Sequence, residues 1–236
     1  MDDVVHLRST VCLLGRFPAL AGVDLSVAGG ETVLVAGANG AGKTTLLRVL
    51  AGLVPVVDGE AVVLGCDLRG DRRTVRSRVG LLGHGAALYD DLSVADNLRF
   101  WARAARRPVA PVAAAMARFG LDGRLSTVPA GRLSAGQRRR TCLAALMVRS
   151  PELWLLDEPH AGLDAAGRDA LDDLVREVAT AGATVVLASH ELERARALAG
   201  RSVTLAGGRI RPEVGAATAE TGREPGRTVG KSVHVA

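Results

Sequence analysis

The sequence predicts an α/β fold, and three observations carry that prediction. Short apolar segments of β-strand character alternate with segments of helical character. A glycine-rich loop joins one of those apolar segments directly to a helix. A block of helices, about residues 92–148, interrupts an otherwise strand-rich chain.

Each element has a local reason. Residues 4–7 and 23–27 read as strands. A Gly29-Gly30 turn leads to a strongly apolar strand over 32–36. The glycine-rich loop comes next, and a helix runs from Lys43 to about Ala51. Asp58-Gly59 introduces a strand over 61–64. Ser93 with Asp96 three residues on marks a helix start, and that helix ends before Pro108. A second helix covers about 110–119 and stops at Gly120; a third starts near Ser134 and ends before Pro151. Strands return over 153–156, with Trp154 in the core, and over 184–188, with a helix over 165–179 between them. The expected domain is 1–212. Residues 213–236 have little to bury and read as a disordered tail.

Composition narrows the function. The chain has 236 residues, is 48% hydrophobic and carries a net charge of +5. That much apolar material excludes wholesale disorder. The basic balance is arginine, since Lys43 and Lys231 are the only lysines, and it reads as coding bias. With aromatics at 3% there are few rings to stack on bases, so no nucleic acid partner is expected. No apolar run reaches the ~18–20 residues of a membrane-spanning helix. Met1-Asp2-Asp3 is acidic where a secretory signal is basic, which points to the cytoplasm. Cys12, Cys66 and Cys142 lie far apart and read as buried, reduced thiols.

The loop is Gly37-Ala38-Asn39-Gly40-Ala41-Gly42-Lys43-Thr44, a G-x-x-x-x-G-K-[ST] pattern between strand and helix. Glycines let backbone N–H groups turn inward around phosphate oxygens, and the helix offers its positive end to the same anion. Lys43 is expected to reach the β- and γ-phosphates, Thr44 to supply a hydroxyl to Mg²⁺, and Thr45 to complete the ATP-binding set. The apolar run 153–156 ends in Asp157 and Glu158. An acid at such a strand end helps hold magnesium, so Asp157 is assigned there with Thr44. Glu158 is placed to polarise the attacking water. Leu133-Ser134-Ala135-Gly136-Gln137 opens a helix, where a serine and small residues make an N-cap or an anion site.

The order of these elements resembles the nucleotide-binding subunit of ABC transporters over about residues 3–211: phosphate loop, helical insertion, L-S-x-G-Q, Asp-Glu strand, Ala161-Gly162-Leu163-Asp164, then His190. The resemblance implies a P-loop NTPase fold with a strand-rich lobe and an inserted helical subdomain. It implies ATP and Mg²⁺ as cofactors and a head-to-tail homodimer with two ATPs at the interface. Ser134, Ala135, Gly136 and Gln137 would act on the partner's ATP, Asp164 would couple the two sites, and His190 would orient water with Glu158. Integral membrane permease subunits would hold the dimer at the cytoplasmic face of the membrane as a peripheral protein.

Three positions depart from that pattern. His84 replaces the usual glutamine in the ATP-binding set; Leu14 replaces a base-stacking tyrosine, with Phe17 nearby as a core candidate; Ala135 replaces a glycine. The pair Gly83-His84, followed by residues 92–100, resembles the haem-exporter ATP-binding subunits of cytochrome c maturation. The expected activity is therefore ATP hydrolysis coupled to export, with haem as the leading cargo. A drug, lipid or peptide exporter, or a non-transport ATPase of iron–sulfur assembly, are the alternatives. His160 reads as a loop residue, and Arg138-Arg139-Arg140 as a solvated helix face.

Overall fold

The computed structural model describes residues 3–83, 85 and 88–211. Two long strands, β1 (Asp3–Leu14) and β2 (Phe17–Ala28), form an antiparallel hairpin. With β4 (Asp58–Val63) and β5 (Cys66–Asp67) they make a four-stranded antiparallel sheet in the order β2-β1-β4-β5. The second sheet has six strands, ordered β10-β9-β3-β8-β7-β6. Its members are β3 (Thr32–Ala36), β6 (Val79–Leu82), β7 (Leu153–Asp157), β8 (Thr184–Ala188), β9 (Arg201–Ala206) and β10 (Arg209–Arg211). Five of them run parallel, and β10 pairs antiparallel with β9 at the edge.

The six-stranded sheet divides two cores, and the strand residues alternate between them. Val33, Val35, Leu153, Leu155, Val186 and Ala188 pack toward the antiparallel sheet and α1 (Lys43–Leu50). Leu34, Trp154, Leu156, Val185 and Leu187 pack on the other side, with α2 (Val94–Ala104), α4 (Ala135–Arg149) and α5 (Ala165–Thr180). Burial on both faces is why these strands read as continuous apolar runs. Trp154 is buried as expected, and its indole N–H donates to the Pro151 carbonyl at 3.0 Å. α2 and α3 (Pro111–Arg118) pack against α4, and Ser93 caps α2 through the Asp96 N–H at 3.1 Å.

β1 is longer than expected because it is bulged. Its register shifts between Leu7 and Thr10, with Ser9 at φ 47°. The displaced groups are satisfied: the Ser9 N–H donates to Asp24, and the Thr10 hydroxyl to the Glu60 carbonyl. The bulge hides the alternation that marks a strand. β6 also lacked a signal, being four residues with a glycine inside. A Cβ at Gly80 would overlap Leu146 of α4 and Pro151. Gly80→Ala is therefore expected to cost about 1–3 kcal/mol through overpacking. The readout is a lower urea midpoint at unchanged slope; an unchanged midpoint would show that the two neighbours move aside freely.

Cys12 is fully buried, and burial pushes its thiol up to about 11. Cys66 and Cys142 are only half-buried, which corrects the expectation of three buried thiols; among the described residues none of the three forms a disulfide. Phe17 is 79% exposed at the hairpin tip, so it is no core residue. His84 and the tail 213–236 lie outside the described residues. Among the described residues, no helix is long and apolar enough to cross a membrane.

Candidate functional site

The site lies at the carboxyl ends of β3, β7 and β8, where ligands of parallel sheets bind. Gly37 to Gly42 leave β3 and wrap back over the start of α1. Gly37, Gly40 and Gly42 take φ of 149°, 78° and 107°, which glycine tolerates without a Cβ penalty. At Gly42 the lack of a side chain also matters, because a Cβ would sit 2.7 Å from the Ala19 carbonyl oxygen. Lys43 is buried, and its ammonium donates to the Gly37 and Ala38 carbonyls at 2.7 and 3.2 Å. A buried charge needs such partners. The lysine is thereby held against the loop.

Thr44 and Asp157 meet across the sheet end, where the threonine hydroxyl donates to Asp157 Oδ2 at 2.8 Å. Asp157 is buried. Two adjacent hard oxygens beside a phosphate loop suit Mg²⁺, which takes few protein ligands and completes its shell with water and phosphate. Among the described residues no group of three or more acids, histidines or cysteines forms a metal cluster.

Glu158 sits just past β7 with φ 46°, a strained conformation for a non-glycine residue. Its backbone N–H donates to the Ala188 carbonyl at 2.8 Å, which ties it to the end of β8. Its carboxylate Oε2 accepts from the His190 backbone N–H at 3.1 Å and lies 2.7 Å from the ring Nδ1. Residues 153 positions apart in sequence terms, from the loop to the histidine, thus converge on one cleft of about 720 Å³. Asn39, Gly40, Lys43, Thr44, Asp157, Glu158 and His190 line it. That volume lies within the range of small-molecule sites. Leu14, Pro18, Ala19, Gly207 and Gly208 also line it, with Gly208 packed against Ala19; Phe17 is not part of the lining.

Ser134 to Gln137 do not line this cleft. They form the first turn of α4, with a reciprocal cap: the Ser134 N–H donates to the Gln137 side chain at 2.9 Å, and the Gln137 N–H to the Ser134 hydroxyl at 3.2 Å. Ala135 and Ser134 are exposed. Asp164 caps α5 through the Gly167 N–H at 2.9 Å and pairs with Arg140. The backbone N–H of Gly167, and then Arg140, hold its carboxyl below the usual carboxylate range. Two sets of groups therefore exist on separate surfaces of one chain.

A family model described as ABC transporter matches residues 20–161, more than half the sequence. The chain belongs to the ABC transporter family. Within it, this ABC chain is 42% identical over 193 residues to the cytochrome c biogenesis ATP-binding export protein of Paramagnetospirillum magneticum, covering 80% of this chain and 88% of that one. It is 43% identical over 214 residues to a daunorubicin resistance ATP-binding protein of Streptomyces coeruleorubidus, covering 89% of this chain and 67% of that one. A solved ATP-binding subunit of an ABC transporter superposes with a TM-score of 0.82 at 25% identity, over 89% of this chain and 88% of the other. A dimeric bacterial ABC transporter cassette shares the fold, with a TM-score of 0.80 at 22% identity over 88% and 97% of the two chains.

Two parts of the ABC chain's site escaped the sequence. Arg138–Arg140 are not a solvated face. Arg138 pairs with Asp90 and Arg140 with Asp164. Arg139 is turned inward, and its guanidinium donates to the carbonyls of Gly83, Asp157 and Glu158 at 2.7, 2.8 and 2.6 Å. Burial lowers its pKa, offset by Cys142, Asp157 and Glu158 nearby. The run of three identical letters concealed three different environments. His160 is in the loop after β7, as expected, but what the sequence did not show is its burial: it is 1% exposed, with Nε2 2.8 Å from Asp172 of α5.

Proposed function

We propose that the chain is the ATP-hydrolysing subunit of an export system that handles haem for cytochrome c maturation. The observation that carries this reading is the set of relatives named for cytochrome c biogenesis export, about 40% identical and matched over most of their own length. The anthracycline-resistance relative favours a second reading, a drug exporter. It is matched over a smaller share of its length.

Residues 1–212 act as the nucleotide-binding unit. ATP enters the cleft with its phosphates on the loop from Gly37 to Thr45, where Lys43 exchanges the Gly37 and Ala38 carbonyls for phosphate oxygens. Thr44 and Asp157 would hold Mg²⁺, which neutralises phosphate charge when bound. Glu158 polarises the attacking water, and His190 orients that carboxylate. His84 would complete the same ATP-binding set. The surface bearing Ser134, Ala135, Gly136 and Gln137 closes on the ATP of a second copy, so two chains pair head to tail and Asp164 couples the sites. Membrane permease subunits hold the dimer at the cytoplasmic face.

Deleting the gene and measuring c-type cytochromes by haem staining tests the cargo. Cytochromes are expected to be lost, with anthracycline tolerance unchanged. Normal cytochromes together with new anthracycline sensitivity would support the drug reading and overturn the haem one.

A further inference from the structure

We infer that His160, with Asp172 and Arg194, is a positioning residue that holds the Glu158–His190 pair in register. The inference rests on the reading of that pair given above. His160 follows Glu158 by two residues, and Arg194 follows His190 by four, on the short helix α6 (Leu192–Arg196). Between them stands Asp172 on α5, buried at 5% exposure. Its Oδ1 lies 2.8 Å from His160 Nε2, and its Oδ2 accepts from Arg194 Nε at 2.6 Å. Arg194 also bonds Asp169, one turn earlier on α5. The result is a closed ring. Glu158 and His190 meet at one end; the segments that follow them are tied to each other at the far end through one carboxylate.

The local physics gives this ring its weight. Helix α6 has five residues, too few to be stable alone. Ala195 is its one fully buried residue and Leu192 packs partly buried against the core, so polar ties to α5 add to a small apolar anchor. Arg168 on α5 adds one more, to Glu191 at 3.3 Å. α5 itself is fixed in the core by Leu171, Leu174 and Val175. It is the rigid element from which both segments hang. His160 Nδ1 is buried with no hydrogen-bond partner among the described residues. An apolar side chain would fill that space without an unpaired ring nitrogen, but would give up the bond to Asp172 Oδ1. The imidazole is explained by the one bond it makes, to Asp172.

Turnover and binding separate this role from simple packing. His160→Leu is expected to lower kcat about tenfold, as a small misplacement of catalytic groups does, with the KM for ATP unchanged within about twofold. His160→Gln, whose amide reaches Asp172, is expected to restore most of the rate. His160→Asn, which stops short, is not; this pair decides the matter if the leucine variant does not fold. In a His190→Ala background, single-turnover assays should show less than about a twofold further effect of the leucine change, because the pair it positions is already broken. Equal losses in both backgrounds, or equal rates for leucine, glutamine and wild type, would overturn the inference. A Glu158→Gln control that stays active would instead overturn the assignment of the catalytic pair, so the two failures are distinguishable.

Discussion

Glu158→Gln is expected to cut ATP turnover by about 10²–10⁴, the usual contribution of a general base, while leaving ATP affinity nearly unchanged. The amide matches the carboxylate in size, so the surrounding geometry has no steric reason to change. The backbone tie from Glu158 to Ala188 does not involve the side chain. The left-handed backbone at φ 46° is available to glutamine at the same cost as to glutamate. An amide oxygen can still accept from the His190 N–H, which now makes its 3.1 Å bond to the carboxylate. What disappears is the negative charge that draws a proton from water. If hydrolysis is what reopens the paired chains, the variant should accumulate as an ATP-bound dimer visible by size-exclusion chromatography. Turnover within about threefold of wild type would remove Glu158 from its role, since loss of a true base is a far larger effect.

The parts of this architecture that were legible in the sequence are those whose environment repeats along the chain. β3, β7 and β8 have every residue buried, so their composition is uniformly apolar. The phosphate loop is legible for a different reason: each glycine is demanded by backbone geometry within a few residues. The acids Asp157 and Glu158 follow because they end an apolar strand. The illegible parts depend on partners far away in sequence. β6 becomes a strand by pairing with β7, more than seventy residues on, and tolerates Gly80 because Leu146 and Pro151 occupy the space above it. Arg139 looks the same as Arg138 and Arg140 until α4 is placed against the end of β7. His160 looks like any loop residue until α5 brings Asp172 to it. Local sequence reports backbone demands and burial well. It reports poorly which polar side chain a distant helix will meet.

Ser134→Arg should abolish ATP-driven pairing and reduce steady-state hydrolysis by at least about 10²-fold, the scale of losing a direct contact to reacting groups. The prediction follows from the separation of two surfaces. Ser134 is exposed and does not line the cleft that holds Lys43 and Glu158, so an isolated chain has no use for it in binding nucleotide. A long cation at this point would block the close approach of a second copy's phosphates. The substitution also removes the serine cap of α4, at a cost of about 0.5–2 kcal/mol. That cost is spread over a helix anchored by Leu143, Ala144, Leu146 and Val148, so the fold should survive. Monomer affinity for a nucleotide analogue should therefore stay within about twofold, a difference of less than 0.5 kcal/mol. Ser134→Ala separates the two effects, because it loses the cap without adding bulk and should still pair. If the arginine variant lost nucleotide binding as a monomer, Ser134 would belong to the same site as Lys43, and the division of one chain into halves of two sites would be wrong. If it paired normally with ATP, the surface at the start of α4 would not be the one that meets the partner.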